Sequence, residues 1–150
     1  MSLTVRRARP EDAELLLQMS RDFHIEDGSP LDEAGEATLA HVAAGEALAP
    51  AYILELDGAP AGFFILTLGY SVENGGTDGF IDDIYLLPAL RGRGLGRQGV
   101  ALAIEAAREA GIRTLLLEVE APNERAYSLY CKMGFTDTKR RLLRQVIVEG

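Results

Sequence analysis

The chain has 150 residues, 47% apolar and 25% charged, with one cysteine, two histidines and a formal net charge of −8. That length buries one core and leaves no room for a cofactor domain beside a separate substrate domain. A lone cysteine excludes an intramolecular disulfide or a thiolate metal centre, and His24 and His41, seventeen residues apart, lack the spacing of ligands on one helix face, so no metal is expected.

No apolar run approaches the ~20 residues of a membrane helix, and Arg6, Arg7 and Arg9 interrupt a signal-like start. A soluble, cytoplasmic, reduced protein is expected. Residues 3–8 alternate weakly and read as a first strand. Pro10-Glu11-Asp12 supplies the proline and acids of a helix's first turn, and Leu15, Leu16, Met19 and Phe23 continue at helical spacing until Gly28-Ser29-Pro30. A second helix begins near Leu31 on a thin stripe of Leu39, Val42 and Ala43 and stops before Gly45. Strands over 52–56 and 61–70 flank Asp57-Gly58-Ala59-Pro60, a hairpin signal. Beyond the Asn74-Gly75-Gly76 loop, residues 80–87 form a strand with Phe80, Asp82, Ile84 and Leu86 on one face and Ile81, Asp83, Tyr85 and Leu87 on the other. Pro88 ends it.

A helical stripe of Val100, Ala103, Ile104, Ala107 and Ala110 closes at Gly111, and residues 114–119 read as a buried strand. Asn123 caps a helix that carries Ala126, Tyr127, Tyr130 and Met133 and ends at Gly134, with residues 135–139 and 142–148 as the last two strands. The order β α α β β β α β α β β describes one α/β domain over residues 1–150, an α+β mixed sheet with helices on both faces.

Charge is unevenly laid out. Residues 22–90 hold thirteen acids and no Lys or Arg, whereas residues 91–150 hold eleven Lys/Arg against seven acids. The segment Leu87-Pro88-Ala89-Leu90-Arg91-Gly92-Arg93-Gly94-Leu95-Gly96-Arg97, between strand and helix, has the glycines that let backbone N–H groups converge at a helix N-terminus. Three arginines in it match phosphate oxygens, a use that a plain solvated turn lacks. Two nucleotide classes compete for it. Gly94-Leu95-Gly96-Arg97-Gln98-Gly99 is a literal G-x-G-x-x-G, with Glu118 nineteen residues past Gly99 as a ribose acid. Only about thirty residues follow, too few for the rest of a doubly wound dinucleotide domain. A Walker P-loop is excluded because no Gly-Lys-Ser/Thr occurs.

Arg91-Gly-Arg-Gly94-Leu-Gly96 resembles the R/Q-x-x-G-x-G/A signature of the GCN5-related N-acetyltransferase (GNAT) family, preceded by strand residues Asp83-Ile-Tyr-Leu-Leu-Pro88. Pro122-Asn123-Glu-Arg-Ala126-Tyr-Ser-Leu-Tyr130-Cys-Lys-Met-Gly134-Phe135 resembles that family's N-x-x-A-x-x-x-Y-x-x-x-G-F helix, and the element order agrees over nearly the whole chain. Leu90 replaces a frequent aromatic, and Asp82 stands where the spermidine/spermine and thialysine type of member often has Glu.

The resemblance implies acetyl-coenzyme A as acyl donor and an N-acetyltransferase activity. It gives the turn Gly92, Arg93, Gly94, Leu95, Gly96 and Arg97, with Arg91 and Asn123, a role in holding the cofactor. It also has the backbone of Ile84, Tyr85 and Leu86 pair with the pantetheine arm, and an N–H near Leu86 polarise the thioester carbonyl. A primary amine of pKa ~10 arrives as ammonium and must lose a proton before attack, so a base is needed. Asp82 is the first choice and Glu118 the second, while a solvated or ion-paired strand acid is the alternative for Asp82. Tyr130 holds the family position for protonating the departing thiolate, where periodicity alone reads it as core. Phe23, Glu26, Asp27 and Asp82 are acceptor-site candidates, their plain alternative being an acidic loop. Cys131 reads as a small core residue, and His24 and His41 as surface or packing residues. A small cationic amine is the expected substrate; a protein or peptide acceptor and a non-catalytic acyl-CoA sensor are the competing readings. Neither nucleic acid nor membrane is expected as a partner, and a homodimer is the assembly this reading admits.

Overall fold

The computed structural model describes residues 1–148, which form two compact units, Met1–Leu117 and the segment from Glu118 on. In the first unit, β1 (Leu3–Arg7) leads through a 3₁₀ turn (Pro10–Asp12) into α1 (Ala13–Glu26) and α2 (Glu33–Ala43). Then follow β2 (Ala51–Leu56), β3 (Ala59–Ser71), β4 (Gly76–Leu86), a 3₁₀ turn (Pro88–Leu90), α3 (Leu95–Glu109) and β5 (Thr114–Leu116). Spatial order equals chain order, with every neighbouring pair antiparallel except β4 and β5, which run parallel. The sheet is therefore mixed, as the element order implies.

Local signals act as expected in most places. Asp57-Gly58 makes a two-residue turn between Leu56 and Ala59, which face each other across the hairpin. The Asp32 carboxylate accepts the Gly35 N–H at 2.7 Å and caps α2. Leu16 and Met19 of α1, with Leu39, Val42 and Ala43 of α2, bury one face of the sheet against Ala51, Ile53, Phe63, Ile65 and Tyr85. On the other face α3 lies so close that a Cβ at Gly99 would touch Leu3, Leu54 and Ile84. Among the described residues, no helix is long and apolar enough to cross a membrane.

Three expectations are corrected. Strict alternation along β4 fails, because Ile65 faces Asp83 while Leu66 faces Ile81, so Asp82 is an extra, unpaired residue. A one-residue bulge reverses the faces beyond it. Ile81 consequently shares the α3 side with Ile84, whereas Asp83 keeps the side of Tyr85 that alternation gives it, which faces α1. Next, β5 stops at Leu116 rather than residue 119, which leaves Glu118 exposed and off the strand. Finally, residues 135–139 and 142–148 form no strands. Lys139 sits at φ +62, which no extended strand can pass through, and two local bonds fold the backbone there: Lys139 N–H to Asp137 Oδ1 at 2.8 Å and Arg140 N–H to Thr138 Oγ1 at 3.3 Å.

One polar group anchors the first unit. Asp12, 8% exposed, accepts two Arg6 N–H bonds at 2.7 and 2.8 Å and the Arg9 backbone N–H at 2.8 Å. The Arg6 bonds hold its carboxyl down to about 2 against the opposing effect of burial. A depressed carboxyl stabilises the fold above its ordinary pKa and loses that contribution as pH falls through the folded value, here between 3.8 and about 2. Asp12→Asn is expected to cost about 2 kcal/mol at pH 7. In urea unfolding, its difference from wild type should narrow below pH 4 and nearly vanish at pH 2.

Candidate functional site

The glycine turn joins the second 3₁₀ turn to α3. Gly92 and Gly94 adopt φ +78 and +76, a conformation that side-chain-bearing residues rarely enter, and Gly94 is the residue that starts α3. A Cβ at Gly92, Gly94 or Gly96 would meet nothing within 4 Å, so open space lies over a helix N-terminus. Leu95 is buried and pins the turn to the core, while Arg93 and Arg97 are exposed beside it. Backbone donors and two cations thus border a space that suits a polyanion.

Beside the turn is a cavity of about 290 Å³ lined by Phe23, Glu26 and Asp27 from the end of α1, Ile84, Tyr85 and Leu86 from β4, and Arg91. Two sets of residues that the sequence assigned separately, to acceptor and to cofactor, surround this one space. Arg91 is its centrepiece. Its Nη1 and Nη2 donate to the two Glu26 carboxylate oxygens at 2.7 and 3.0 Å, its Nε donates to the Leu86 carbonyl at 2.9 Å, and its guanidinium lies 5.3 Å from the Tyr85 ring centre. Arg91 holds the Glu26 carboxyl below the usual range, and burial, with the charges of Glu26 and Asp22, raises the Tyr85 phenol. Sixty-five residues separate Arg91 from Glu26, so no sequence pattern announces this pair.

β4 runs on to Leu86, whereas β5 pairs with it only at Asp78, Gly79 and Phe80. Past Phe80 the β5-facing edge of β4 has no strand partner among the described residues, and an unpaired edge is a template for an extended chain.

At the bulge, Asp83 contacts His24 of α1, with Nε2 and Oδ2 at 3.3 Å, and both side chains are largely buried. Lost hydration, reinforced by the Asp82 charge and opposed by His24, raises the Asp83 carboxyl to about 6. Asp82 keeps one side open to solvent, yet the protein packed around the other lifts its carboxyl above the ordinary value, with His24 pulling it back. His24, read from sequence as a surface or packing residue, is therefore a partner of Asp83. His41 is exposed.

In the second unit, α4 (Glu124–Lys132) is capped by Asn123, whose side chain accepts the Ala126 N–H at 3.1 Å. Tyr130 is half-buried edge-on to Phe135, with ring centres 5.9 Å apart, and burial raises its phenol. Cys131 is exposed rather than a core residue, because it lies on the helix face away from Tyr130 and Met133.

The Acetyltransferase (GNAT) family profile matches residues 14–135, spanning both units. Aminoglycoside N(6')-acetyltransferase type 1 of Stenotrophomonas maltophilia is 29% identical over 140 residues, 91% of this chain and 88% of that one. Integron cassette protein HFX_CASS3, from the mobile metagenome of Cole Harbour Salt Marsh, superposes with a TM-score of 0.81 at 28% identity, covering 97% of this chain and 91% of that chain. AAC(6')-Iy in complex with the bisubstrate analogue CoA-S-monomethyl-acetylneamine has the same fold, with a TM-score of 0.78, 20% identity and 99% and 100% coverage. With the glycine turn, the unpaired β4 edge and the capped α4 helix in place, the match over residues 14–135 establishes that this chain belongs to the acetyltransferase (GNAT) family of enzymes.

Proposed function

We propose that this enzyme moves an acetyl group from acetyl-CoA to a small cationic primary amine, with attack by the amine directly on the thioester. The observation that carries the reading is the acid-bearing cavity of about 290 Å³ beside the open glycine turn. It fits a small amine better than a peptide, which needs a long groove. The relative from Stenotrophomonas maltophilia is, by its name, an acetyltransferase of aminoglycosides, which supports a small-molecule acceptor.

The residues fit the cofactor. Open space over Gly92, Gly94 and Gly96 receives a pyrophosphate, held by the turn's amides and the α3 N-terminus, with Arg93 and Arg97 beside it. Arg91 reaches phosphate only by exchanging Glu26, which would free that carboxylate for the acceptor. The β4 edge at Ile84, Tyr85 and Leu86 takes the pantetheine arm. Acetyl-CoA supplies the acetyl group as an activated thioester. The Leu86 N–H polarises the carbonyl, Asp82 takes the ammonium proton, and Tyr130 Oη, kept protonated by burial, gives a proton to the departing sulfur. Asn123 contributes a cofactor contact besides its cap. Glu118, exposed and off the strand, is the second candidate for the base. A free, exposed Cys131 suits a reducing cytoplasm.

The deciding experiment measures free thiol release over a panel of diamines, amino acids and peptides at several salt concentrations. Diamines should be preferred, and their kcat/KM should fall as ionic strength rises, because salt screens the acidic stretch beyond ~10 Å at 0.1 M. Neutral, anionic or peptide acceptors outperforming diamines would reject the small-cation assignment. Cofactor binding without thiol release would favour an acyl-CoA sensor.

A further inference from the structure

The β4 bulge falls at two successive aspartates. Asp82 has no partner across the ladder, while Asp83 faces Ile65 on the α1 side and meets His24 Nε2 at 3.3 Å. The charges acting on Asp83 are Asp82, His24 and Asp27, and His24 also acts on Asp82. Ile65 brings no charge from β3, and Arg91, the cation beyond Tyr85, is engaged by Glu26. His24 is thus the ring nitrogen that faces the pair, and Asp27 connects the cluster to the cavity that it lines.

We propose that Asp83 joins Asp82 as a single two-carboxylate proton acceptor, and that His24 is the positioning residue that keeps this pair free of a proton at neutral pH. This deepens the amine-acetylation reading and rests on it. Two adjacent, partly desolvated carboxylates repel each other and tend to retain one proton between them. A retained proton would block the reaction. In this arrangement the His24 ring carries a proton on Nε2, 3.3 Å from Asp83 Oδ2, and donating it there favours the ionised carboxylate. When the acceptor arrives, a proton leaves its ammonium nitrogen and the N–H electron pair becomes the attacking lone pair. That proton is shared by the two carboxylates and passes to water after transfer. The pair titrates as a unit, so its macroscopic pKa, and not that of either residue, sets the acid limb of the rate profile.

The test is the pH profile of kcat/KM for the best diamine in wild type and three variants. His24→Phe keeps a ring against Phe23 but removes the donor, so its acid limb should move up by about one pH unit. Its kcat/KM would then be about tenfold lower below both limbs and close to wild type on the alkaline side. His24→Gln, which can still donate, should return the limb toward its wild-type place. Asp83→Asn removes the like charge, so its limb should move down while its plateau falls, because the remaining carboxylate is a weaker base. An unmoved limb in His24→Phe, or an equal loss at every pH, overturns the proposal and leaves His24 a packing residue. Carboxyl-carbon NMR of the wild-type protein tests the same pair without turnover and without a variant that must fold. Asp82 and Asp83 should titrate together and above the other aspartates, and independent titration at ordinary values overturns the pair. If wild type releases thiol with no amine while the NMR shows a coupled pair, the amine reading has failed and the carboxylate pairing stands.

Discussion

Gly94→Val is expected to weaken acetyl-CoA binding about 100-fold, measured by calorimetric titration, with a matching loss of kcat/KM. Gly94 adopts φ +76, and a β-branched residue there is strained by roughly 1–2 kcal/mol. The larger effect is on the ligand. No atom lies within 4 Å of a Cβ built at this position, so valine would project into the space above the α3 N-terminus where the phosphates are proposed to sit. Losing even one hydrogen bond to a charged phosphate costs about 1.5–3 kcal/mol, or roughly ten- to a hundredfold in affinity. The fold should survive, since Leu95, which pins the turn, is untouched. An unchanged dissociation constant in a folded Gly94→Val protein would remove the turn from the cofactor site.

Tyr130→Phe is expected to lower kcat about 100-fold while leaving the acetyl-CoA dissociation constant within about twofold of wild type, since general-acid assistance contributes on the order of 10²–10⁴. The variant removes one oxygen and keeps the ring that packs on Phe135. Because burial raises the phenol above its ordinary value, the hydroxyl stays protonated through the neutral range and is available as a donor. Wild-type turnover in Tyr130→Phe would reduce Tyr130 to packing.

Much of the fold was legible because its signals are local. Asp57-Gly58 between apolar runs makes a hairpin whatever surrounds it, Asn123 finds its acceptor role within one helical turn, and the glycines of the turn supply a backbone conformation that needs no distant partner. The same locality explains why the glycine turn and the α4 helix carried the family resemblance. Pattern reading failed where a residue's state depends on what lies across from it. Residues 135–148 have strand-like composition, yet a strand needs a partner backbone, and Asp137 and Thr138 turned the chain first.

The acidic stretch shows the same division. Its thirteen carboxylates without a single Lys or Arg are a fact of sequence, but their effect is set by partners from outside it. Arg6 reaches Glu55, Arg21 pairs with Glu36, and Arg91 closes on Glu26. By itself, then, the sequence determined the element order through β5 and α4, the glycine-rich turn and the family to which the chain belongs. Only the tertiary structure decided that Asp82 is a bulge, that Asp83 meets His24, and that Arg91 closes on Glu26. Each of these depends on strand register or on pairing across 59 to 65 residues of chain, and such contacts are fixed by the packing of α1 against β4, which no local periodicity encodes.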